Sequence, residues 1–373
     1  MATLFLCGDV MTGRGVDQIL PHSNAPGIQE PYVRDAREYV ALAEEASGPI
    51  PHPVLPAYIW GDALEQLERV RPDARVINLE TSVTTSDEFW PGKGIHYRMH
   101  PQNVDCLTAA RPDVCVLANN HVLDYGHSGL DETIRTLTAA GVKIAGAGAT
   151  IDRARDPAII DLTGNHRILV FAVASETSGV PPTWAATVNS SGVDLLPDLS
   201  DTAADDVLNR VRCRKRRGDI AIVSVHWGGN WGYDVPPSHV HFAHRLLDGE
   251  VDLIHGHSSH HPRPIEIYKD KLVLYGCGDF LNDYEGISGY EQFRDDLVLM
   301  YFPTVDADTG HLVSLRMTPL RIRQLHLVRP SATEREWLRC TLATVSRDFR
   351  CDVELDRDGT LMLRHHAASR MKA

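Results

Sequence analysis

Between His255 and His261 the chain reads H-G-H-S-S-H-H, four histidines in seven residues, and this stretch constrains fold and chemistry more than any other. The apolar run Val251–Ile254 before it has strand character. Pro262 and Pro264 after it stop a helix. The histidines are therefore expected on a loop at the end of a strand. Imidazole is the commonest metal ligand, and His257 and His260 are placed to reach one small centre. A single histidine is more often a surface or core residue. Several on a Gly/Ser loop favour a metal site. The pattern leaves open whether His255 and His261 also face it.

In α/β sheets, ligands bind past the carboxyl ends of the strands. Other strand ends carry matching residues. Leu4–Leu6 leads into Cys7-Gly8-Asp9, and Arg75–Leu79 is followed by Glu80. Val114–Ala118 runs into Asn119-Asn120-His121, and Asp219–Val225 into His226. Each sign alone is weak. Asp9 reads equally well as a turn or helix cap, and the Asn-Asn-His segment as a polar turn. Together they predict one crevice holding Asp9, Glu80, Asn120, His226, His257 and His260 as ligands. Mixed oxygen and nitrogen donors suit Mn, Fe or Zn, with Ca a further option, in one or two sites. Glu80 is positioned to bridge two ions. His121 offers a proton-transfer imidazole, and Asp124 is spaced to orient it. Trp227 and Trp231 read as core residues ahead of pocket walls, and His239, His241 and His244 as ordinary residues of a helix over Ser238–Leu247.

A net charge of −13, from 50 acidic against 37 basic residues, argues against a nucleic-acid or anionic-membrane partner. Seven scattered cysteines without a C-x-x-C pair indicate a reducing compartment, so a cytoplasmic location is expected. No signal peptide is read at the start, and no apolar run nears the ~20 residues of a membrane span. Residues 1–325 are expected to form the catalytic domain, with a surface insertion at about 21–58. Residues 326–373 read as an extension packed on it, a helix (334–347) followed by a hairpin. Ser128 is expected to cap a helix running to Ala140.

Taken in order, G-D-V-M, N-L-E, A-N-N-H-x-x-D-x-G, V-H-W-G, G-H-x-x-H and P-I-E-I-Y…Y-G-C-G-D-F resemble the CapA family. These are proteins of poly-γ-glutamate capsule synthesis, related to the calcineurin-like metallophosphoesterases. The resemblance covers roughly residues 3–300. It implies an α/β fold, a four-layer α-β-β-α sandwich of metallophosphoesterase type, with the metal centre at the strand ends. It implies the same six ligands, and His121 as the acid or electrostatic residue beside the metal. Two positions depart from the phosphoesterase pattern: Met11 stands where a histidine is usual, and Glu80 where an aspartate bridges. One tight and one weak ion site is the corresponding expectation. Asn230 replaces an acid of many relatives, and Arg263 a glutamine. Arg263 is therefore expected to bind an anionic group of the substrate bidentately.

The expected activity is a metal-dependent hydrolase, using a metal-activated water on a phosphoester or a γ-glutamyl or peptide bond. Its substrate would be an anionic small molecule, a peptide or polyglutamate. The competing readings are a metal-dependent epimerase of ribosomal peptides and a non-catalytic polymer-binding capsule protein.

Overall fold

The computed structural model describes residues 1–365; residues 366–373, the end of the expected extension, lie outside the described residues. The fold is α/β and is built on two large sheets. The first begins with β1 (Ala2–Val10). The chain then passes through α1 (Arg37–Ser47) and α2 (Asp62–Val70) to β2 (Ala74–Leu79). β3 (Val114–Val116), α3 (Gly126–Ala139) and β4 (Lys143–Ala145) follow, and β1 to β4 lie side by side and parallel. Parallel neighbours need long crossovers, which the helices supply.

The second sheet takes over with β5 (Arg167–Ser175), α4 (Asp201–Arg214), β6 (Ile220–His226), α5 (Pro237–Asp248), β7 (Leu253–His257) and β8 (Lys271–Leu274). Its four strands are again parallel neighbours. The chain then returns to the first sheet. β9 (Asp279–Leu281) pairs with the carboxyl half of β1, and β10 (Leu297–Val305) with its amino half. β11 (Leu312–Arg323), α6 (Ala332–Val345), β12 (Cys351–Leu355) and β13 (Leu361–His365) complete the described chain. The C-terminal hairpin of β12 and β13 continues the first sheet beyond β11.

Side-chain alternation along the strands divides the interior. Leu169, Phe171, Val173, Val223, Val225 and Ile254 pack with Val207, Leu208, Phe242 and Leu246 of α4 and α5. Their neighbours Ile168, Val170, Ala172, Ile220, Ile222 and Leu253 share a core with Leu4, Leu6 and Val76 of the first sheet. Ala63 and Leu67 of α2 and Leu130 and Leu137 of α3 join that same core. The two sheets thus share a core, and helices pack against both. Among the described residues no helix is long and apolar enough to cross a membrane.

Three local expectations are corrected. First, β7 runs through His257, so His255, Gly256 and His257 are strand residues paired with Ser224–His226, and only Ser258–His261 form the loop. Second, α3 starts at Gly126, so Ser128 lies inside its first turn, and its hydroxyl donates to Glu88 Oε2 at 3.1 Å. Third, the 21–58 segment is not merely a surface insertion: Ala36, Tyr39, Val40, Ala43, Ile50 and Val54 are buried. The helix expected over 334–347 begins at Ala332, where Ser331 and Glu334 form a capping box.

Two features of the frame carry direct predictions. Gly8 passes so close to β9's approach that an added Cβ would lie 1.6 Å from the Gly278 carbonyl oxygen. Gly8→Ala is expected to destabilise by about 3 kcal/mol, read as a lower denaturant midpoint. The second feature is His239, stacked on Trp227 with centroids 4.5 Å apart. Burial, helped by Arg263, pushes its pKa from the ordinary 6.5 down to about 4. The unfolded chain therefore binds the proton more readily, and stability is lost as pH falls from about 6.5 towards 4. His239→Phe keeps the stacked ring and removes that contribution, about 2 kcal/mol. Unfolding midpoints at pH 7 and pH 4.5 should differ less in the variant than in the wild type. The other helix histidines also have structural partners, His241 with Asp201 and His244 with Glu266.

Candidate metal centre

The two sheets each deliver a row of donors to one point. In the first, register sets Asp279, Asp9 and Asn78 side by side on β9, β1 and β2. In the second, His226 and His257 are direct partners on β6 and β7. Asp9, His226 and His257 offer ligand atoms that all lie within 4.8 Å of one another. So do Asp9, His260 and Asp279, and Asp9 is common to both groups.

Each donor is held from behind. Asn78 Nδ2 donates to Asp9 Oδ1 at 2.8 Å and to Glu80 Oε2 at 3.1 Å. The Asn78 oxygen in turn accepts from Asn119 Nδ2 at 3.0 Å. Ser224 Oγ lies 2.8 Å from His257 Nε2 and 3.0 Å from His255 Nδ1, and His255 Nε2 reaches the Cys7 carbonyl at 2.8 Å. His255 is thus a buried brace behind His257. Asn120 Oδ1 contacts His226 Nε2 at 3.1 Å. With their outer nitrogens engaged, His226 and His257 turn their Nδ1 atoms to each other at 2.7 Å. His260 places Nδ1 2.8 Å from Asp279 Oδ1 and Nε2 2.9 Å from Asn230 Nδ2. Such outer contacts fix ring orientation and tautomer.

The charge balance is unusual for a core. Asp9, Glu80 and Asp279 are each no more than 1% exposed. Burial first, then Asp279, pushes Asp9 up to about 7. Burial, Asp9 and Asp279 raise Glu80 well above the ordinary range. Burial holds His226 and His257 well below theirs, so both are neutral at pH 7, the form that ligates. Burial opposes protonation of His260, but the Asp279 and Asp9 carboxylates outweigh it and raise its pKa. Asp9 Oδ2 is buried without a hydrogen-bond partner. An orphaned carboxylate oxygen among crowded acids and inward-facing imidazoles fits a divalent cation, which would satisfy that atom and offset the repulsion.

Glu80 lies between this centre and His121. Its Oε2 is 3.9 Å from His226 Nδ1 and its Oε1 3.9 Å from His121 Nε2. Asp124 accepts from His121 Nδ1 at 2.6 Å and from the Tyr97 backbone N–H at 2.7 Å. Lys93 Nζ lies 2.9 Å from His121 Nδ1 and also pairs with Asp124. The Nδ1 side of His121 is therefore occupied, and Nε2 faces the centre. Burial keeps this imidazole neutral, with a pKa near 4.

The structure thus brings Asp9, Glu80, Asn120, His226, His257, His260, His121 and Asp124 together. Arg263 is the exception. Its Nη2 donates to the Gly229 carbonyl at 2.7 Å, and its stem packs under the 228–230 loop against Gly276. It is 4% exposed and supports the loop, so it presents no open fork to a substrate. His261 turns away and stacks on Phe293 with centroids 4.6 Å apart. Met11 is buried and lies 3.8 Å from the Tyr284 hydroxyl. Trp227 is a core residue, as expected, but Trp231 lines a cleft beside His260. Sequence reasoning misses Asp279, Asn78 and Lys93. Asp279 has a signal, an acid in the glycine-rich G-C-G-D run next to β9.

Fold and site define an α/β protein with a buried carboxylate–imidazole centre at the meeting of two sheets. Residues 3–284 match the profile of the bacterial capsule synthesis protein PGA_cap family, and the chain belongs to that family. It is 52% identical over 350 residues to a Mycobacterium tuberculosis (strain CDC 1551 / Oshkosh) protein described as a probable polyglutamine synthesis accessory protein, covering 94% of this chain and 92% of that one. It is 24% identical over 322 residues to the capsule biosynthesis protein CapA of Bacillus anthracis, covering 86% of this chain and 68% of that one. A crystal structure of the Thermus thermophilus protein TT1561 aligns with TM-score 0.36 and 10% identity, over 83% of this chain and 96% of that one.

Proposed function

We propose that this chain is a metal-dependent hydrolase of a phosphoester or a γ-glutamyl or peptide bond. The observation that carries the reading is the pair of ligand groups sharing Asp9, with Asp9 Oδ2 left without a partner. Asp9, His226 and His257, with Asn120 and Glu80 beside them, would hold one ion. Asp9, His260 and Asp279 would hold a second. A bound divalent ion supplies Lewis acidity and lowers the pKa of a ligated water.

The chain's own residues do the rest. Asp124 fixes the His121 ring and leaves Nε2 free to give or take a proton. Lys93 holds positive charge against Asp124 and His121, which keeps Asp124 ionised and the ring in place. Burial of the ligands excludes bulk water and strengthens each electrostatic contact. Family membership, and the names of the relatives, support a substrate from polyglutamate capsule metabolism.

Treatment with a chelator followed by Mn²⁺ tests this reading. Hydrolysis of bis(p-nitrophenyl) phosphate and of a γ-glutamyl anilide should be followed in the same samples. Activity on at least one is expected to vanish on stripping and return with Mn²⁺. Full activity after stripping, or none on either substrate in a metal-loaded sample, contradicts it.

A further inference from the structure

Beside His260 the surface opens into a cleft of about 460 Å³, and both Arg14 and Glu30 line it. Arg14 has two carboxylate partners of different kinds. Asp283 is fully buried and takes one edge of the guanidinium, accepting from Nε at 3.1 Å and from Nη2. It also accepts from the Gly15 N–H at 2.8 Å, which ties it to the frame. Glu30 takes the other edge, accepting from Nη1 at 3.0 Å and from the Tyr39 hydroxyl. One guanidinium thus serves two acids, and Asp283 alone balances its charge.

Glu30 comes from a loop. The base of the loop is closed by the Ala36 N–H on the Pro26 carbonyl at 2.7 Å and the Ile28 N–H on the Arg34 carbonyl at 3.1 Å. At its tip Gln29, Pro31 and Tyr32 are exposed, Tyr32 at 95%, and Glu30 alone among them is turned inward. Arg14 is fixed by contrast, buried and held at φ 46° and ψ −118°, a backbone setting that residues other than glycine rarely take. Such strain is kept where a side chain must point one way.

Arg14 is one aromatic ring away from both halves of the centre. Its guanidinium lies 4.3 Å from the centre of the Tyr97 ring, whose other neighbour is the His121 ring at 4.6 Å. It lies 5.7 Å from the centre of the Tyr284 ring, which is 5.3 Å from the His260 ring. A divalent ion on His260 adds positive charge to the same cleft and favours an anionic ligand further.

We infer that Arg14 and the Tyr39 hydroxyl form a subsite for a carboxylate of the substrate beside the reacting bond, and that Glu30 fills it in the free protein as an internal stand-in. A substrate carboxylate takes the subsite by displacing the tip of the 27–35 loop, and Asp283 stays on Arg14. Arg14 then fills the anion-binding role that Arg263 cannot. The inference rests on the hydrolase reading for where the reacting bond lies.

Calorimetric titration of the Mn²⁺-loaded full chain at pH 8 tests the subsite without needing turnover. The probes are a γ-linked glutamate trimer and the same trimer with its α-carboxylates amidated. The wild type is expected to bind the charged trimer at least about tenfold more tightly than the amidated one. Glu30→Gln removes the internal competitor, so it should bind the charged trimer about tenfold more tightly than the wild type does, with the amidated trimer unchanged. Asp295→Asn removes a carboxylate from the same cleft without touching Arg14, and should tighten the charged trimer far less. Arg14→Gln, if it folds, should lose the preference for the charged trimer. The inference is overturned if the wild type does not bind the charged trimer, if Glu30→Gln leaves its affinity unchanged or weaker, or if Asp295→Asn tightens it equally. Metal content and hydrolysis of bis(p-nitrophenyl) phosphate, measured in the same samples, report on the hydrolase reading separately.

Discussion

Asp9→Asn is expected to shift stability in opposite directions with and without metal. In metal-free protein, the substitution removes one of three crowded buried acids and relieves the repulsion that raises the pKa of Glu80. Metal-free Asp9→Asn should therefore be more stable than metal-free wild type by about 1–3 kcal/mol at pH 8. With Mn²⁺ present the order reverses. An ion that binds only the folded wild type at 100 times its Kd adds about 2.7 kcal/mol, and the variant gains little or none of it. Hydrolysis should fall to background, because Asp9 belongs to both ligand groups. Thermal unfolding with EDTA and with Mn²⁺ reads both signs. If Asp9→Asn is destabilising in EDTA, Asp9 is a structural hydrogen-bonding residue and the crowding argument fails.

The second large effect concerns His121. His121→Ala should lower kcat by about 10²–10⁴ while leaving metal content close to wild type, with a lower unfolding midpoint because buried Asp124 loses a partner. The reason is positional. His121 touches Asp124 and Lys93 behind it, while its Nε2 is 3.9 Å from Glu80 and belongs to neither group of ion ligands. Asp124→Asn should also slow turnover, since an amide cannot hold the ring in the same tautomer. A His121→Ala protein that keeps wild-type kcat would remove the imidazole from the mechanism. One that loses its metal would move it among the ligands.

The strand-end residues are legible from sequence because an apolar run marks where a buried parallel strand stops. Asp9, Glu80, Asn120 and His226 can be located that way with no tertiary information. Asp279 cannot. Its place beside Asp9 depends on pairing between β1 and β9, which are far apart along the chain. Lys93 sits in a loop whose course is set by contacts to Asp124 and Trp184, and no local pattern encodes that. Arg263 shows the reverse limit. Its chemistry suits an anion, but its direction is decided by the carbonyl of Gly229. Sequence alone points to a loop for His255 and His257, because the apolar run stops at Ile254 and prolines follow at 262 and 264. In the fold, an added Cβ at Gly256 would lie 2.5 Å from the Leu274 carbonyl oxygen, so glycine there permits close strand packing.

The most direct measurement is elemental analysis of the Mn²⁺-reconstituted full chain, for wild type, His260→Ala and Asp9→Asn. Two overlapping ligand groups predict two ions per chain in the wild type. His260→Ala should keep the ion of the Asp9, His226 and His257 group and lose the other. Asp9→Asn should keep neither. A wild type that binds no metal, or an Asp9→Asn variant that retains the full content, would contradict a centre built around Asp9.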